Sequence, residues 1–167
     1  LDAEGGVRFR SPGGLGPTFA VRLAVRPTWF GHRGDRWSIF GRARGAPTAR
    51  TLDDALVLDT AHLGGDFGLD WVWLRRPGIR CAFEAGITGE WLRVRELAAD
   101  GRTVDRDGGL AGAFFGPALT WELGAFELGV GATGYSFPTG LRIRKDGEET
   151  IIGRWGLRAG ASAGWRF

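Results

Sequence analysis

The chain has one cysteine, one tyrosine, two histidines and no methionine among its 167 residues. A single cysteine, Cys81, excludes an internal disulfide and any Cys-x-x-Cys metal site. Because Met is missing even at position 1, residue 1 is not expected to be the translation start, and an export segment is expected to have been removed ahead of it. No stretch approaches the ~18–20 uninterrupted apolar residues of a membrane helix. The longest patches, such as AGAFFGPAL (111–119), are broken by Gly and Pro. That excludes a helical span and leaves barrel strands open, since these alternate and barely register in a hydropathy sum. There is no GxGxxG in context, no P-loop and no HExxH. Lys145 is the only basic residue that is not Arg, and the net charge is a mild +3. The 19 acids are interspersed with the 22 bases instead of leaving a basic stripe, so a nucleic-acid partner is not expected.

Helical periodicity is also missing. The chain holds 30 Gly, and each one inside a helix would cost about 1 kcal/mol. A period of two is present throughout. Phe19, Val21, Leu23 and Val25 alternate with Ala20, Arg22, Ala24 and Arg26. Phe67, Leu69, Trp71 and Trp73 alternate with Asp66, Gly68, Asp70 and Val72. Ile79, Cys81, Phe83, Ala85 and Ile87 oppose Arg80, Ala82, Glu84, Gly86 and Thr88. Further along, Phe126, Leu128, Val130 and Ala132 oppose Glu127, Gly129, Gly131 and Thr133.

These runs predict eight strands, near 6–11, 17–28, 35–45, 65–76, 78–96, 109–123, 125–145 and 149–167. The last two are expected to pair through RKDGEE, where Asp146-Gly147 is a hairpin signal. The connections at 75–79 and 123–125 are short, and those at 97–108 and 46–64 are long and polar. The 46–64 segment reads either as a strand extension or as a free loop. Alternating short and long connections in an antiparallel meander predict an all-β, single-domain, up-and-down barrel over 1–167, of transmembrane type.

Composition decides which face meets lipid. The polar face mixes Gly and Ala with nearly balanced charges: Arg22, Arg26, Arg42, Asp66, Asp70, Arg80, Glu84, Glu122, Glu127, Arg154 and Arg158. Small residues beside long charged ones suit a narrow lumen in which every buried charge is paired. The apolar face carries Trp37, Trp71, Trp73, Trp91, Trp121, Trp155, Trp165 and Phe167, many of them near strand ends, as in the aromatic girdles of lipid-facing barrels.

The last thirteen residues, WGLRAGASAGWRF, put Trp155, Leu157, Ala159, Ala161, Ala163, Trp165 and Phe167 on one face. A closing strand of this kind resembles the signal by which bacterial outer-membrane β-barrels are read by the barrel-assembly machinery. The stretch 51–91, with LDDALVLD and an Arg-Pro turn, is similar to that of small envelope barrels. The resemblance is to small, eight-stranded outer-membrane proteins of the OmpA/OmpW-like superfamily. It implies residence in the bacterial outer membrane and assembly by that machinery. It also implies contact with outer-membrane lipid, and a structural, accessory or anchoring role in the cell envelope, alone or within a larger membrane complex. The small residues Ala159, Ala161 and Ala163 mark where other envelope proteins would approach.

Candidate sites are few. Arg33 and Arg36 fall in an expected periplasmic turn. Arg93, Arg95, Arg102, Arg106, Arg142, Arg144 and Lys145 cluster at the expected outer rim. There Arg93, Arg95, Arg142, Arg144 and Lys145 are candidates for the phosphates of lipopolysaccharide, whose geometry suits Arg. No catalytic residue, metal or cofactor is expected. Two alternatives are carried. One is an outer-membrane lipid-modifying hydrolase centred on His62, with Asp59 or Asp66 as the acid and a serine from Ser11, Ser38, Ser136 or Ser162. The other is a soluble lipocalin-like ligand-binding barrel with the apolar face turned inward.

Overall fold

The computed structural model describes residues 2–11, 15–25, 36–53, 56–97, 103–145, 148–152 and 154–165, with side chains over a smaller set. The order is β1 (Asp2–Ser11), β2 (Leu15–Val25), β3 (Trp37–Asp53), β4 (Leu56–Arg76), β5 (Ile79–Leu97), β6 (Thr103–Leu123), β7 (Phe126–Ser136), β8 (Leu141–Lys145), β9 (Glu148–Ile152) and β10 (Trp155–Trp165). Eight of these strands close a barrel in the order β1-β10-β7-β6-β5-β4-β3-β2. Closure is made by β1 against β10, from Asp2↔Gly164 to Ser11↔Trp155, and it removes the sheet edges that an open meander would expose.

Two short turns define one end. Between β4 and β5, Pro77 precedes Gly78 at φ 77°, as a type II turn requires. Between β6 and β7, Gly124 has φ 70°. The two turns are linked where the Glu122 amide donates to the Gly78 carbonyl at 2.9 Å. Short turns mark the periplasmic end of such barrels, and we call this the inner end.

The outer end is uneven. Ala113 is the outermost β6 residue paired to β7, so Thr103–Gly112 pairs with β5 alone. Most of β3 beyond Ala46 pairs only with β4. The outer parts of β3 to β6 therefore rise above the barrel as a four-stranded wall. The 46–64 segment, left open by the sequence, extends strands on either side of residues 54–55. Most of 97–108, expected as a connection, is likewise strand.

The expected long strand 125–145 is corrected. β7 ends at Ser136, the chain turns through Pro138 and Gly140 (φ 55°), and β8–β9 form a separate two-stranded hairpin. The Phe137 amide still donates to the Arg154 carbonyl at 2.7 Å, and the Phe137 side chain turns into the lumen and is fully buried. Pro138, with no N–H to donate to a ladder, follows at once and the pairing with β6 stops. The first strand begins at Asp2, earlier than the alternation suggested.

Burial is inverted relative to a soluble protein. Phe115 is 72% exposed, Ile87 66% and Phe19 62%, while Asp66 is 4% exposed. The pleat produces this directly, since successive side chains point to opposite faces. A soluble lipocalin-like barrel would show the reverse.

Candidate functional site

The lumen holds the chemistry. Among the described residues, Arg22, Arg42, Arg44, Arg80 and Arg158 are buried alongside Asp66, Asp70, Glu84, Glu90 and Glu127. These are five guanidiniums against five carboxylates, the balance that buried charge requires. Asp66 is the hub. It accepts from Arg44 Nε at 3.0 Å, Arg42 Nη1 at 3.4 Å, Thr88 Oγ1 at 2.7 Å and the Tyr135 hydroxyl at 3.3 Å. Thr88 accepts in turn from Arg44 Nη2 at 2.6 Å, so one hydroxyl serves both members of the pair. Glu84 accepts from Arg42 Nη2 at 2.5 Å and lies 3.7 Å from Arg22. Arg22 also pairs with Asp70, which accepts from Ser38 Oγ at 2.7 Å. Nearer the inner mouth stand Arg80–Glu127 at 3.4 Å and Arg75–Glu122 at 3.5 Å.

An apolar cluster accompanies the charges: Phe40, Leu92, Leu110, Phe114, Tyr135 and Phe137. The Phe137 and Tyr135 rings stack, with centroids 6.3 Å apart and planes within 6°. Arg22 and Arg42 lie 4.3 and 5.0 Å from the centroid of Phe40, and Arg44 lies 4.6 Å from that of Tyr135. Guanidinium planes thus lean on rings at cation–π distance. On the inner side a cavity of about 50 Å³ separates Arg22, Asp70, Arg80, Glu84, Glu127 and Arg158 from the small residues of β7 and β10. It is polar and has room for a few waters.

Of the residues expected in the lumen, Arg22, Arg42, Asp66, Asp70, Arg80, Glu84, Glu127 and Arg158 are buried, and Glu122 is half-buried at the inner mouth. Arg154 is corrected: it is exposed at the bend before β10, outside the buried set. Arg26, Arg33 and Phe167 lie outside the described residues. The sequence did not point to Arg44, Glu90 and Tyr135, and it offered Ser38 only as a candidate hydrolase serine, not as a lumen partner of Asp70. Arg44 and Glu90 stand an even number of residues from Arg42 and Glu84 on the same strands, so extending the alternation would have found them.

Trp37, Trp71, Trp73, Trp91, Trp121, Trp155 and Trp165 all face outward and are exposed. At the outer rim Arg93 and Arg95 are exposed above Trp91, and Arg93 Nε lies 3.1 Å from Asp107 Oδ1. Arg142 is exposed, and Arg144 and Lys145 stand opposite Glu149 and Glu148 in the β8–β9 register. The structure thus divides these candidates between the β5 face and the separate hairpin.

His62 is on β4, not in a loop, with Nδ1 3.2 Å from Glu90 Oε1. Among the described residues, the small cavity beside it is lined by Thr18, Arg44, Gly45, Ala46 and Arg158, with no serine. Ser38 donates to Asp70, and Ser136 is exposed on the outside. Among the described residues no cluster of three or more His, Cys, Asp or Glu is placed to hold a metal.

Eight up-and-down antiparallel strands, apolar without and charged within, define a small transmembrane β-barrel. No protein-family profile matches the chain. No curated protein matches it either. Solved structures do. A major outer-membrane protein from Thermus thermophilus superposes with a TM-score of 0.62 at 15% identity, covering 99% of this chain and 98% of that one. Neisserial surface protein A gives 0.54 at 11% identity, covering 99% and 94%. Ail, the attachment invasion locus protein of Yersinia pestis, gives 0.53 at 10% identity, covering 99% and 93%. The chain has the fold of the small outer-membrane β-barrels.

Proposed function

We propose that this protein is an integral barrel of the bacterial outer membrane with a structural or anchoring role, its lumen closed by charge pairs and an apolar cluster. The observation that carries the reading is the inverted burial: among the described residues, Phe, Leu, Ile and Trp are exposed around the wall and ten charged side chains are buried within it. Such a surface is stable in lipid and would aggregate in water. With Phe114, Tyr135 and Phe137 packed among the charge pairs, the interior acts as a core. The working surfaces are then the wall and the rims.

At the outer rim, Arg93 and Arg95 continue the outward register of Trp91, at the level where lipid phosphates meet an aromatic girdle. We assign them, with Arg142, Arg144 and Lys145, to the phosphates of lipopolysaccharide. At the other end Trp165 packs edge-on against Phe126, with centroids 5.0 Å apart, as an interfacial anchor. With Phe167 it forms the sequence read during assembly. The exposed Ala159, Ala161 and Ala163 leave a smooth wall against which another envelope protein would fit.

Extraction and gel migration test the reading. The native protein should leave membranes only with detergent and should migrate differently before and after boiling. Release in salt or carbonate without detergent would overturn it. Arg93→Ala with Arg95→Ala should reduce co-purifying lipopolysaccharide, and deletion of Phe167 should impair insertion while sparing synthesis and export.

A further inference from the structure

Near the inner end, β4 gains one residue on β5. Val72 pairs with Ala82 and Leu74 with Cys81, so Trp73 is the extra residue of a β-bulge. A bulge of this kind re-aims every side chain beyond it. Above the bulge the odd residues Phe67, Leu69 and Trp71 face outward and the even residues Asp66, Asp70 and Val72 face inward. Below it the parity reverses. Arg75 pairs with the buried Arg80 and reaches Glu122 at the lumen mouth, while Arg76 pairs with the outward-facing Ile79. Without the extra residue, Arg76 would share the inward register of Asp70.

The bulge therefore sets one arginine into the aromatic girdle. Ile79 pairs in turn with Trp121, so Arg76, Ile79 and Trp121 form one row across three strands, and all three are exposed. Trp73 packs against Phe83, with centroids 6.4 Å apart. On the neighbouring strand Trp37 stacks on Trp71 at 6.3 Å, and the exposed Arg36 precedes it. Among the described residues of this rim, Arg75 is matched by Glu122 and Arg80 by Glu127. Among the described residues, no carboxylate or ring pairs with Arg76 or Arg36.

We propose that this inner rim is a binding site for an anionic phospholipid of the inner leaflet, with the phosphate held by Arg76 and the glycerol region lying against Trp73 and Trp121. The inference rests on the barrel being integral to the membrane. A guanidinium presents a planar fork of donors that matches a phosphate, and indole rings settle at the headgroup boundary. Basic positions at the edge of a membrane domain select anionic headgroups. The ligand is a phospholipid and not lipopolysaccharide because the site lies at the tight-turn end, opposite Arg93 and Arg95.

Native mass spectrometry of the detergent-solubilised barrel tests this, with phosphatidylglycerol, phosphatidylcholine and lipopolysaccharide offered separately. The wild type should retain phosphatidylglycerol in preference to phosphatidylcholine. Arg76→Gln should weaken that retention about tenfold, the loss expected when one charged hydrogen-bond donor is removed. Arg76→Lys should lose part of it, and Arg154→Gln, at the exposed bend before β10, should leave it unchanged. Equal retention by Arg76→Gln and wild type, or no preference for phosphatidylglycerol over phosphatidylcholine, would overturn the site. Displacement of phosphatidylglycerol from Arg76 by lipopolysaccharide would overturn the choice of lipid. Heat-modifiable migration of Arg76→Gln should match wild type. A wild-type chain that stays dissolved without detergent would instead defeat the membrane reading.

Discussion

The ring of Phe114 reaches to within 2.8 Å of the point where a side chain on Gly68 would begin. Gly68 pairs with Gly86, and Gly86 with Phe114, so two adjacent glycines make the floor on which this ring lies and meets Phe40 at 5.9 Å. A methyl group at Gly68 would overpack the lumen. Gly68→Ala should cost about 1–3 kcal/mol in chemical unfolding from bilayers. Gly41→Ala, where nothing stands within 4 Å of the added carbon, should cost far less. Equal effects at the two sites would mean that neither the Phe114 ring nor the Ala85 carbonyl, 2.5 Å from the same point, crowds Gly68.

Asp66 is fully buried and takes hydrogen bonds from both Arg42 and Arg44. Asp66→Asn keeps the shape, and Arg42 and Arg44 retain Glu84 and Glu90, but it leaves one uncompensated positive charge in the buried set, an error worth about 3–5 kcal/mol. The exposed Asp107, paired with Arg93, should lose at most about 1 kcal/mol on the same change. Unfolding midpoints of the two variants make the comparison, and similar midpoints would show that the lumen is wetter than the structure indicates.

Ile87 faces outward between Phe83 and Trp91 on β5. Ile87→Arg should destabilise the barrel by about 2–4 kcal/mol in a bilayer, the cost of a lipid-facing cation near mid-depth. A neutral result in reconstituted protein would place that face in water.

The alternation along β2, β4, β5 and β10 was legible because a pleated strand exposes every second residue and lipid tolerates no charge there. From it followed the strand count of the barrel, the outward Trp residues and most of the buried charges. Pairing partners were not legible. Nothing local says that Arg42 meets Glu84 or that Asp66 collects four donors, because those contacts join strands 22 to 69 residues apart in sequence. The apolar cluster was also hidden. Phe40 and Phe114 are inward residues of hydrophobic type, and an alternation rule that sends every large apolar side chain to lipid misplaces them. Phe137 misled in another way. It continues the inward register of Tyr135, so the run reads as one strand to 145, whereas the turn at Pro138 and Gly140 ends the pairing and sets the β8–β9 hairpin apart. The bulge at Trp73 leaves no mark in composition, so the reversed orientation of Arg76 emerges only from the register.

Whether the apolar face of this barrel touches lipid is settled most directly by a nitroxide scan of β10 in bilayers. In a Cys81→Ser background, single cysteines at Ala159, Gly160, Ala161, Ser162 and Ala163 would be labelled and probed with oxygen and a polar nickel relaxant. High oxygen and low nickel accessibility are expected at 159, 161 and 163, with low oxygen accessibility at 160 and 162. High nickel accessibility at 159, 161 and 163, or no two-residue alternation, would contradict it.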